Sequence, residues 1–420
     1  MTSQLDTNVE AAGAAAPWRD KKRYLWLFGL VAPTALFVVL PVVWALNHAG
    51  WTTASQVLFW VGPFLIYVLL PVLDIRFGRD GQNPPDEVME YLENDKYYRY
   101  CTYAFIPFQF ASVTFGAYAF TATDLSWLGY EGGLSWFAKI GLALSVGVLG
   151  GTGINTAHEL GHKRDALERW LSKITLAQTW YGHFYIEHNR GHHVRVATPE
   201  DPASARFGET FWEFLPRSVI GSVRSAVKLE AARIRRQGRS PWDPRTWPGN
   251  DVLNAWAMSV VLWGALIAVF GWGLLPYMII SAVFGFSMLE SVNYLEHYGL
   301  LRQKTPSGRY ERCRPEHSWN SDHLVTNLFL YHLQRHSDHH ANPTRRYQIL
   351  RSMSQAPELP SGYATLIGVT YFPPLWRAMM DHRVLEHYNG DITKVNIDPR
   401  RREKILARYG MFAEAERAAS

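Results

Sequence analysis

Histidines at short spacings are the residues of this chain best suited to chemistry. Eight of the 16 histidines fall in three motifs, HELGH at 158–162, HNRGHH at 188–193 and HSDHH at 336–340. Because positions i and i+3 or i+4 share one face of a helix, a motif of this kind can direct two imidazoles to one point while an adjacent histidine reaches sideways. Eight imidazoles packed together without a metal would be hard to keep neutral and solvated. The spacing therefore predicts metal binding.

The number of imidazoles predicts more than one ion. His297, in YLEHYG, adds a ninth candidate. One ion takes about four to six ligands, so nine suit two sites of four or five ligands each, and imidazole suits Zn, Cu, Fe or Ni without deciding among them. The candidate metal ligands are His158, His162, His188, His192, His193, His297, His336, His339 and His340.

Four carboxylates lie inside or beside these motifs. We predict that they accept hydrogen bonds from the outer imidazole nitrogens, which fixes the tautomer and raises the basicity of each ligand. They are Glu159, Glu187, Glu296 and Asp338. The alternative for each is an ordinary solvated carboxylate. The remaining histidines near the motifs and in the C-terminal region are predicted to be structural: His183, His317, His323, His332, His382 and His387.

Two other functions compete for the same motifs. HELGH matches the H-E-x-x-H pattern of zinc metalloproteases, in which Glu159 would be the general base. That function needs only one further ligand and leaves six clustered histidines unexplained. A metal transporter would need polar or ionisable residues within its membrane spans, and the apolar runs of this chain are nearly free of them.

Long apolar segments must position the histidines. Of the 420 residues 48% are hydrophobic, and they collect in runs of about 20, long enough for a helix to cross a hydrocarbon core of about 30 Å. Runs such as LFGLVAPTALFVVLPVVWAL lack the polar stripe of a buried soluble helix, and the first is too long for a signal peptide and is expected to stay attached. We predict six transmembrane helices, at 25–47, 53–73, 101–123, 133–154, 252–271 and 274–295.

The distribution of lysine and arginine predicts the orientation, since short cytoplasmic loops hold the excess positive charge. Basic segments precede the first, third and fifth runs, and the loops after these runs contain no lysine or arginine. Both termini are therefore expected in the cytoplasm, and His48 in an external loop. The predicted fold is all-α: a cytoplasmic segment at 1–24, a six-helix transmembrane bundle at 25–300 with a cytoplasmic insert at 155–251, and a helical cap and tail at 301–420. The cytoplasmic side carries the dinuclear site.

The remaining features concern partners. The net charge of +5 suits contact with anionic headgroups or an acidic protein, and no segment resembles a nucleic-acid-binding module, so we expect no nucleic acid partner. The stretch 211–238 mixes aromatic residues with Arg and Lys and is predicted to be a helix along the cytoplasmic interface, with a solvated connector as the alternative. Cys101 and Cys313 form no CxxC pair, which excludes a disulfide framework and a thiolate metal site.

Five motifs resemble those of the integral-membrane alkane 1-monooxygenases: HELGHK, EHNRGHH, NYLEHYGL, LQRHSDHH and GRDGQNPPDEV. The broader set of membrane desaturases and hydroxylases shares the histidine motifs, but NYLEHYGL and LQRHSDHH are typical of the alkane branch. The resemblance implies a non-haem centre of two Fe ions, O2 and medium-chain n-alkanes as substrates, and electrons from rubredoxin with a rubredoxin reductase upstream. It also implies a bacterial inner-membrane protein, and the assignment of His297 as a ligand leans on it.

The activity expected from this resemblance is terminal hydroxylation of n-alkanes to 1-alkanols. It suits an apolar pocket between helices, which we expect from the first four spans and the sixth, with the cofactor supplying the oxidising power. The alternatives are a related membrane hydroxylase, epoxidase or desaturase acting on terpene, aryl-methyl or fatty-acid chains, and the metalloprotease described above. Neither the preferred chain length nor the oligomeric state follows from the sequence.

Two further expectations concern the separation of the metal ions and the docking surface for rubredoxin. Because a neutral imidazole has one lone pair and cannot bridge two ions, we expect the metals farther apart than the ~3.5–4 Å of many paired catalytic sites. Rubredoxins are acidic, so basic cytoplasmic segments are predicted docking surface, with lipid headgroups as the alternative partner. The residues concerned are Arg345, Arg346, Arg400, Arg401 and Arg402.

Overall fold

The computed structural model describes residues 18–419, with side chains through residue 410. The predicted N-terminal segment 1–24 therefore lies largely outside the described residues. The described part is helical and contains isolated bridges but no β-strand, which confirms the all-α class. Five helices are long and apolar enough to cross a membrane: α1 Arg23–His48, α2 Thr52–Phe77, α4 Trp136–Gly161, α8 Asp251–Phe270 and α9 Trp272–His297.

The predicted third span, 101–123, lies in helix α3, Lys96–Thr121, which has 26 residues and packs beside α1 and α4. It is as long as the others, but its tyrosines, threonines and other hydroxyl-bearing residues lower its hydropathy, and it is not among the five apolar helices. Membrane crossing by α3, and with it the count of six spans, stays a prediction.

The other helices of the described chain surround the five apolar ones. Two of them, α6 and α11, carry histidine motifs, and α6 changes from α to π geometry along its length. Their bounds are α5 Ala166–Thr175, α6 184–195, α7 Phe211–Arg236, α10 Leu324–Phe329, α11 His336–Ala341, α12 Tyr363–Thr370, α13 Pro373–His387 and α14 Arg402–Ala419.

Helix α4 is the centre of the bundle. Its most apolar window is 78% buried, compared with 28% for α8. Glycines let α9 approach it closely: a Cβ added to Gly285 would lie only 3.0 Å from the carbonyl oxygen of Gly147. Small residues bring transmembrane helices together in this way because lipid supplies no hydrophobic force between them. The two helices that end in histidine motifs are therefore fixed against one another.

Both helices run farther than the sequence indicated. The apolar pattern ends at about 154 and 295, but α4 continues to Gly161 and α9 to His297. Polar residues do not end these helices because neighbouring elements cover them: Asn155, for example, donates to the carbonyl of Leu330 (2.8 Å). The HELGH motif therefore lies mostly within the last turns of α4, and the bounds of the predicted cytoplasmic insert stay a prediction.

The segment 301–420 is not a separate layer. Helix α12 packs against α2 and α9, and the hydroxyls of Tyr67 and Tyr371 lie 3.1 Å apart. At the beginning of α10, the amide of Thr326 donates to Asp74 Oδ1 at the end of α2 (2.9 Å). Part of the predicted cap therefore lies alongside the apolar helices. Its location in the cytoplasm stays a prediction.

Candidate metal centre

All nine predicted ligands converge at one end of the bundle, in two separate groups. Within each group, one nitrogen of every histidine lies within 4.8 Å of the corresponding nitrogens of the others. The five-histidine group consists of His158, His162, His188, His193 and His339. The four-histidine group consists of His192, His297, His336 and His340. Four elements supply them: the end of α4, α6, the end of α9, and α11.

Neighbouring histidines belong to different groups. His192 and His193 diverge, as do His339 and His340. In α6 the residues 188–192 form a π-helical turn, so His188 shares its group with His193, five positions on, rather than with His192 at the expected spacing of four. Single π turns inside α-helices occur often at functional sites. Here the turn lets one short helix contribute to both groups.

Helix α11 is turned towards the site by a strained segment. Tyr331 and His332 both have positive φ, 51° and 55°, a conformation that is costly for side chains of this size. Arg335, 1% exposed, holds the segment in place by donating to the carbonyl oxygens of Asp80 (2.9 Å) and Leu350 (2.7 Å). The GRDGQNPPDEV motif thus anchors the arginine next to His336.

The distances between imidazoles fit a central ion. In the five-histidine group Nε2 of His158 is 2.9 Å from Nε2 of His339; in the four-histidine group the same atoms of His192 and His340 are 3.3 Å apart. Nitrogens about 2.1 Å from a common ion are about 3.0 Å apart in octahedral and about 3.4 Å apart in tetrahedral arrangement. The buried Nε2 of His162 has no hydrogen-bond partner in the described chain, as a ligand nitrogen requires.

The imidazoles are held in the neutral form that binds metals. Burial lowers the pKa of each of six of them well below the ordinary value, and for all six the neighbouring imidazoles add to the effect. A cationic imidazole has no lone pair for a metal, so this environment favours ligation. The six are His162, His188, His193, His336, His339 and His340.

A carboxylate that sequence reasoning missed orients one ligand. Asp201 Oδ2 lies 2.9 Å from Nδ1 of His192 and accepts from Ser204 Oγ (2.6 Å). Burial raises the pKa of Asp201, but the interactions with His192 and Ser204 outweigh it and lower the pKa to about 2. The ionised carboxylate only accepts, so Nδ1 of His192 carries the proton and Nε2 is free for a metal. Asp201 lies in an ordinary loop sequence, so no spacing rule would have found it.

Three of the four carboxylates predicted to accept hydrogen bonds from the imidazoles have other partners. Glu159 pairs with Lys163 (2.9 Å), Glu187 with Arg195 (2.5 Å) and Asp338 with Arg345 (2.6 Å). Among the described side chains none of them accepts a hydrogen bond from an imidazole. Their predicted role is therefore corrected: they neutralise cations that pack around the motifs. For Glu187, burial raises the pKa to about 7 despite Arg195.

Glu296, the fourth of these carboxylates, does contact an imidazole, but at the nitrogen that faces the other histidines of its group. Its Oε2 lies 3.2 Å from Nε2 of His336, the nitrogen that faces the four-histidine group. The prediction placed it at the outer nitrogen, which has no partner in the described chain. The carboxylate is buried with its backbone neighbour His297. The four-histidine group therefore has two carboxylates in contact with its imidazoles, Asp201 and Glu296.

The histidines predicted to be structural lie outside both groups. His332 Nδ1 lies 2.8 Å from the carbonyl oxygen of Tyr347, and His323 Nδ1 lies 2.8 Å from Ser321 Oγ. His183 is buried beside Tyr181, and burial lowers its pKa to about 4. His48, in the loop after α1, stacks on Trp44 and is far along the chain from either group.

An apolar cavity of about 30 Å³ lies one helical turn from the histidines. Asn155, Val292 and Leu333 line it, three to five residues before His158, His297 and His336. Its polar neighbours turn their hydrogen-bonding groups away. Asn155 donates to Leu330 O, and Thr152 Oγ1 donates to Leu149 O within its own helix. The lining comes from α2, α4, α9, α10 and α12, so the expected contributions of α1 and α3 are corrected.

The arginines predicted as docking surface are mostly paired. Arg346 is buried against Glu168 (2.9 Å), and Arg345 contacts Asp338. Arg401 contacts both Asp398 (2.6 Å) and Glu213 (2.8 Å), and Arg400 contacts Asp398 (2.9 Å). Arg402 is exposed. Ion pairing leaves much less free charge on this set than the sequence indicated.

Comparison with known proteins places this arrangement among membrane oxygenases and desaturases. Residues 134–370 match the family model described as fatty acid desaturase. The alkane 1-monooxygenase of Acinetobacter baylyi is 46% identical over 414 residues, 97% of this chain and 96% of the relative. Alkane 1-monooxygenase 1 of Alcanivorax borkumensis is 43% identical over 394 residues, covering 93% of this chain and 92% of the relative. The hydroxylase component of xylene/toluene monooxygenase from Pseudomonas putida is 30% identical over 244 residues, 57% of this chain and 63% of the relative.

Proposed function

Because the chain belongs to the fatty acid desaturase family and is a monooxygenase of the alkane 1-monooxygenase type, we propose that it hydroxylates the terminal carbon of medium-chain n-alkanes. The reaction uses O2, two iron ions held by the nine histidines, and electrons from rubredoxin. The observation that carries the proposal is the apolar cavity that ends one turn from both histidine groups. A substrate in that cavity would present a carbon atom, not a polar group, to the metals.

Such a substrate can be bound only through burial of its apolar surface. An alkane has no hydrogen-bonding group, so binding is stabilised by about 25 cal/mol for each Å² of apolar surface removed from water. The wall of aliphatic and aromatic side chains supplies that surface, with Leu333 and Val292 at the end nearest the histidines. The same wall excludes water from the reacting methyl group. The polar groups of Asn155 and Thr152 are satisfied elsewhere and do not penalise an apolar ligand.

The histidines hold the ions, and their neighbours hold the histidines. Iron bound there would supply the activation of O2 for insertion into a C–H bond, chemistry that no side chain provides by itself. Asp201 keeps the proton of His192 on Nδ1 and points Nε2 inward. Arg335 fixes the start of α11, and the contact between α4 and α9 fixes the relation of their terminal histidines.

Electrons must come from another protein. Inserting one oxygen atom of O2 into a C–H bond and releasing the other as water consumes two electrons and two protons. Cys101 and Cys313 are separate and free, whereas a rubredoxin-type iron needs four thiolates. We place the docking of rubredoxin at the groove whose rim carries the exposed Lys21 and Arg79, because the buried Arg335 below it precedes His336 in the chain and offers a short path to the four-histidine group.

The membrane location rests on the five apolar helices and their ends. Exposed tryptophans at interfaces are typical of membrane proteins. At the end of the bundle away from the histidines they are Trp44, Trp51, Trp127, Trp136 and Trp272. Trp170 and Trp247 are exposed on elements nearer the histidine end. We propose a multi-pass protein of the bacterial inner membrane with the histidines on the cytoplasmic side and α7 along that interface.

Product analysis tests the proposed function. Purified enzyme loaded with iron, given octane, NADH, rubredoxin and its reductase, is expected to form 1-octanol by gas chromatography. His339→Ala should abolish the product and His48→Ala should not. Turnover of xylene, a terpene or a fatty acid without any 1-octanol would favour the related membrane hydroxylases. Peptide cleavage that does not require O2 would favour the metalloprotease.

A further inference from the structure

Helices α12 and α13 form a hairpin that reaches along the apolar helices. Gly362, just before α12, lies against Asp74 near the end of α2, whereas Tyr371, just after α12, meets Tyr67. Tyr67 precedes Phe77, the last residue of α2, by ten positions, which corresponds to about 15 Å along a helix. Tyr67 lies between Ile66 and Leu70, which line the apolar cavity, so the tip of the hairpin lies near the level of that cavity.

The tip is apolar and uncovered. Phe372 is 63% exposed and Leu375 49% exposed, next to Trp212, which is 56% exposed. Trp212 Nε1 donates to the carbonyl of Tyr371 (3.1 Å) and so joins the beginning of α7 to the tip. An exposed apolar patch beside transmembrane helices is suited to contact with lipid.

Farther along α13 the surface becomes basic. A groove between α13 and α14 begins at Pro373 and Pro374, continues past Arg377 and Ala378, and is closed by side chains of α14. An adjoining pocket shares three of the lining residues and adds two more cations, one just before α14 and one within it. The basic residues of the two are Arg377, Arg401, Lys404 and Arg408. The groove thus has an apolar end at the tip and a cationic end above it.

Positive charge in the groove exceeds negative charge. Asp381 is its one lining carboxylate, and it is occupied by Arg377 (3.2 Å) and by the hydroxyl of Tyr298 (2.9 Å). Lys404 and Arg408 are exposed, lie four positions apart on α14, and have no carboxylate within 4.0 Å among the described side chains. Residues spaced by four share one helix face, so both cations are available to one ligand.

We propose that this groove binds an anionic phospholipid, with the phosphate at Arg377, Lys404 and Arg408 and the acyl chains at Phe372, Pro373 and Leu375. Long basic side chains reach from a helix to the headgroup level while their stems cover apolar surface. A basic pocket beside membrane helices is a recurrent form of headgroup site. A free anion would leave the apolar tip unused, whereas a phospholipid supplies both a phosphate for the cationic end and acyl chains for the apolar end.

Lipid binding in this groove would also affect the helices that line the apolar cavity. The hairpin that ends in this groove also supplies Ala364 and Ile367 to the apolar cavity. A lipid held between α13 and α14 would fix the position of α12 and the C-terminal helix relative to the membrane. Lipid binding itself needs neither metal nor alkane, so the proposal goes beyond the proposed function and can be tested without turnover.

The test is native mass spectrometry of the full chain in nanodiscs of phosphatidylcholine with increasing phosphatidylglycerol. K404Q/R408Q removes two exposed cations, and K304Q/R309Q removes two exposed cations from a loop that does not line the groove. We expect the first variant to retain phosphatidylglycerol about 30-fold more weakly than the unaltered chain, and the second to match the unaltered chain. Thermal unfolding in pure phosphatidylcholine should be the same for all three.

Other outcomes would overturn the proposal. Equal retention of phosphatidylglycerol by all three chains would remove the groove as a lipid site. Inorganic phosphate that competes at equal concentration would identify a soluble anion site instead. A raised KM for rubredoxin in K404Q/R408Q, with lipid retention unchanged, would identify a protein-docking surface. Formation of 1-octanol, measured on the same samples, reports on the proposed function independently.

Discussion

The two histidine groups differ in what surrounds them. The four-histidine group is buried throughout, and two carboxylates touch its imidazoles: Asp201 at the outer nitrogen of His192 and Glu296 at the inner nitrogen of His336. The five-histidine group has one more imidazole, a half-buried member in His193, and no carboxylate in contact among the described side chains. Lys163, next to His162, pairs with Glu159, next to His158.

The difference between the two groups affects how the charge of a bound metal ion is neutralised. A metal cation surrounded only by neutral imidazoles keeps its full charge in a poorly solvating interior, which is costly. The carboxylates beside the four-histidine group offset part of that charge. We therefore expect this group to bind its ion more tightly although it offers fewer imidazoles. The following predictions test that comparison.

The largest effect is expected from removing ligands in pairs, because the grouping determines the outcome. His339→Ala with His193→Ala alters only the five-histidine group and should leave one ion per chain. His339→Ala with His340→Ala, adjacent in sequence, alters both groups and should leave none. Every such variant should lose hydroxylation, and metal analysis distinguishes them. His48→Ala is the control with full metal content. Equal metal loss in the two double variants would contradict the grouping.

A smaller, selective effect is expected from Asp201→Asn. The amide no longer fixes the tautomer of His192, and loss of such an outer partner lowers metal affinity about 10- to 100-fold. Titration of the metal-free enzyme with Fe²⁺ should show weakening at one site only. Asp398→Asn, at a buried carboxylate that pairs with Arg400 and Arg401, controls for the general effect of the exchange. Weakening at both sites would show that the groups are not independent.

The metal-free enzyme should lose stability in acid. The imidazole pKa values fall well below the ordinary value of about 6.5 on folding, so the unfolded chain binds more protons below that pH. Stability is fully present above pH 6.5 and is lost as the pH falls, by about 1.4 kcal/mol per pH unit for each such histidine. Four of the six shifted imidazoles belong to the five-histidine group.

Thermal unfolding between pH 7.5 and 5.5 measures this loss. H188F/H193F, within the five-histidine group, should flatten the dependence on pH, and His48→Ala should leave it unchanged. A midpoint temperature that does not change with pH would mean that the metal-free site is charged or open to water.

The smallest expected effect concerns the distance between the two metal ions. The groups consist of histidines alone, and imidazoles cannot bridge ions. We expect the two metals of the loaded enzyme to lie farther apart than about 4 Å, as measured by X-ray absorption. Glu296 gives this prediction its sharpest test, because among the described side chains it is the one carboxylate that approaches an inner nitrogen. A short separation with Glu296 or another carboxylate on both ions would contradict it.

The sequence predicted the histidines of this site but not how they divide into two groups or which side chains contact them. Eight of the nine proposed ligands were visible as motifs because side-chain spacing on a helix is a local property, and His297 was assigned through the family resemblance. The division of His192 from His193 was not visible, since it depends on a π turn that the packing of α6 stabilises. Asp201 was missed and Glu159 misassigned for a related reason: the partner of a carboxylate is whichever donor the fold brings near it.

The helices show the same limit. Hydropathy located the five apolar helices to within a few residues, but it ended α4 near residue 154, although the helix continues to Gly161. Polar residues there are covered by α10, α11 and the segment between them, whose position no window average contains. Tyrosine-rich α3 illustrates the opposite case, a helix whose membrane crossing cannot be decided from composition.

By itself the sequence determined the helical class, the apolar segments and the histidines, because periodicity, hydrophobicity and ligand type are properties of short stretches of chain. Only the tertiary structure decided which imidazoles share a group, which carboxylate holds His192, and that α12 lines the cavity beside α2. These depend on contacts between residues far apart in sequence, such as Tyr67 with Tyr371 and Arg335 with the carbonyl of Asp80. Such contacts form where the packing of whole helices leaves two groups within reach of each other.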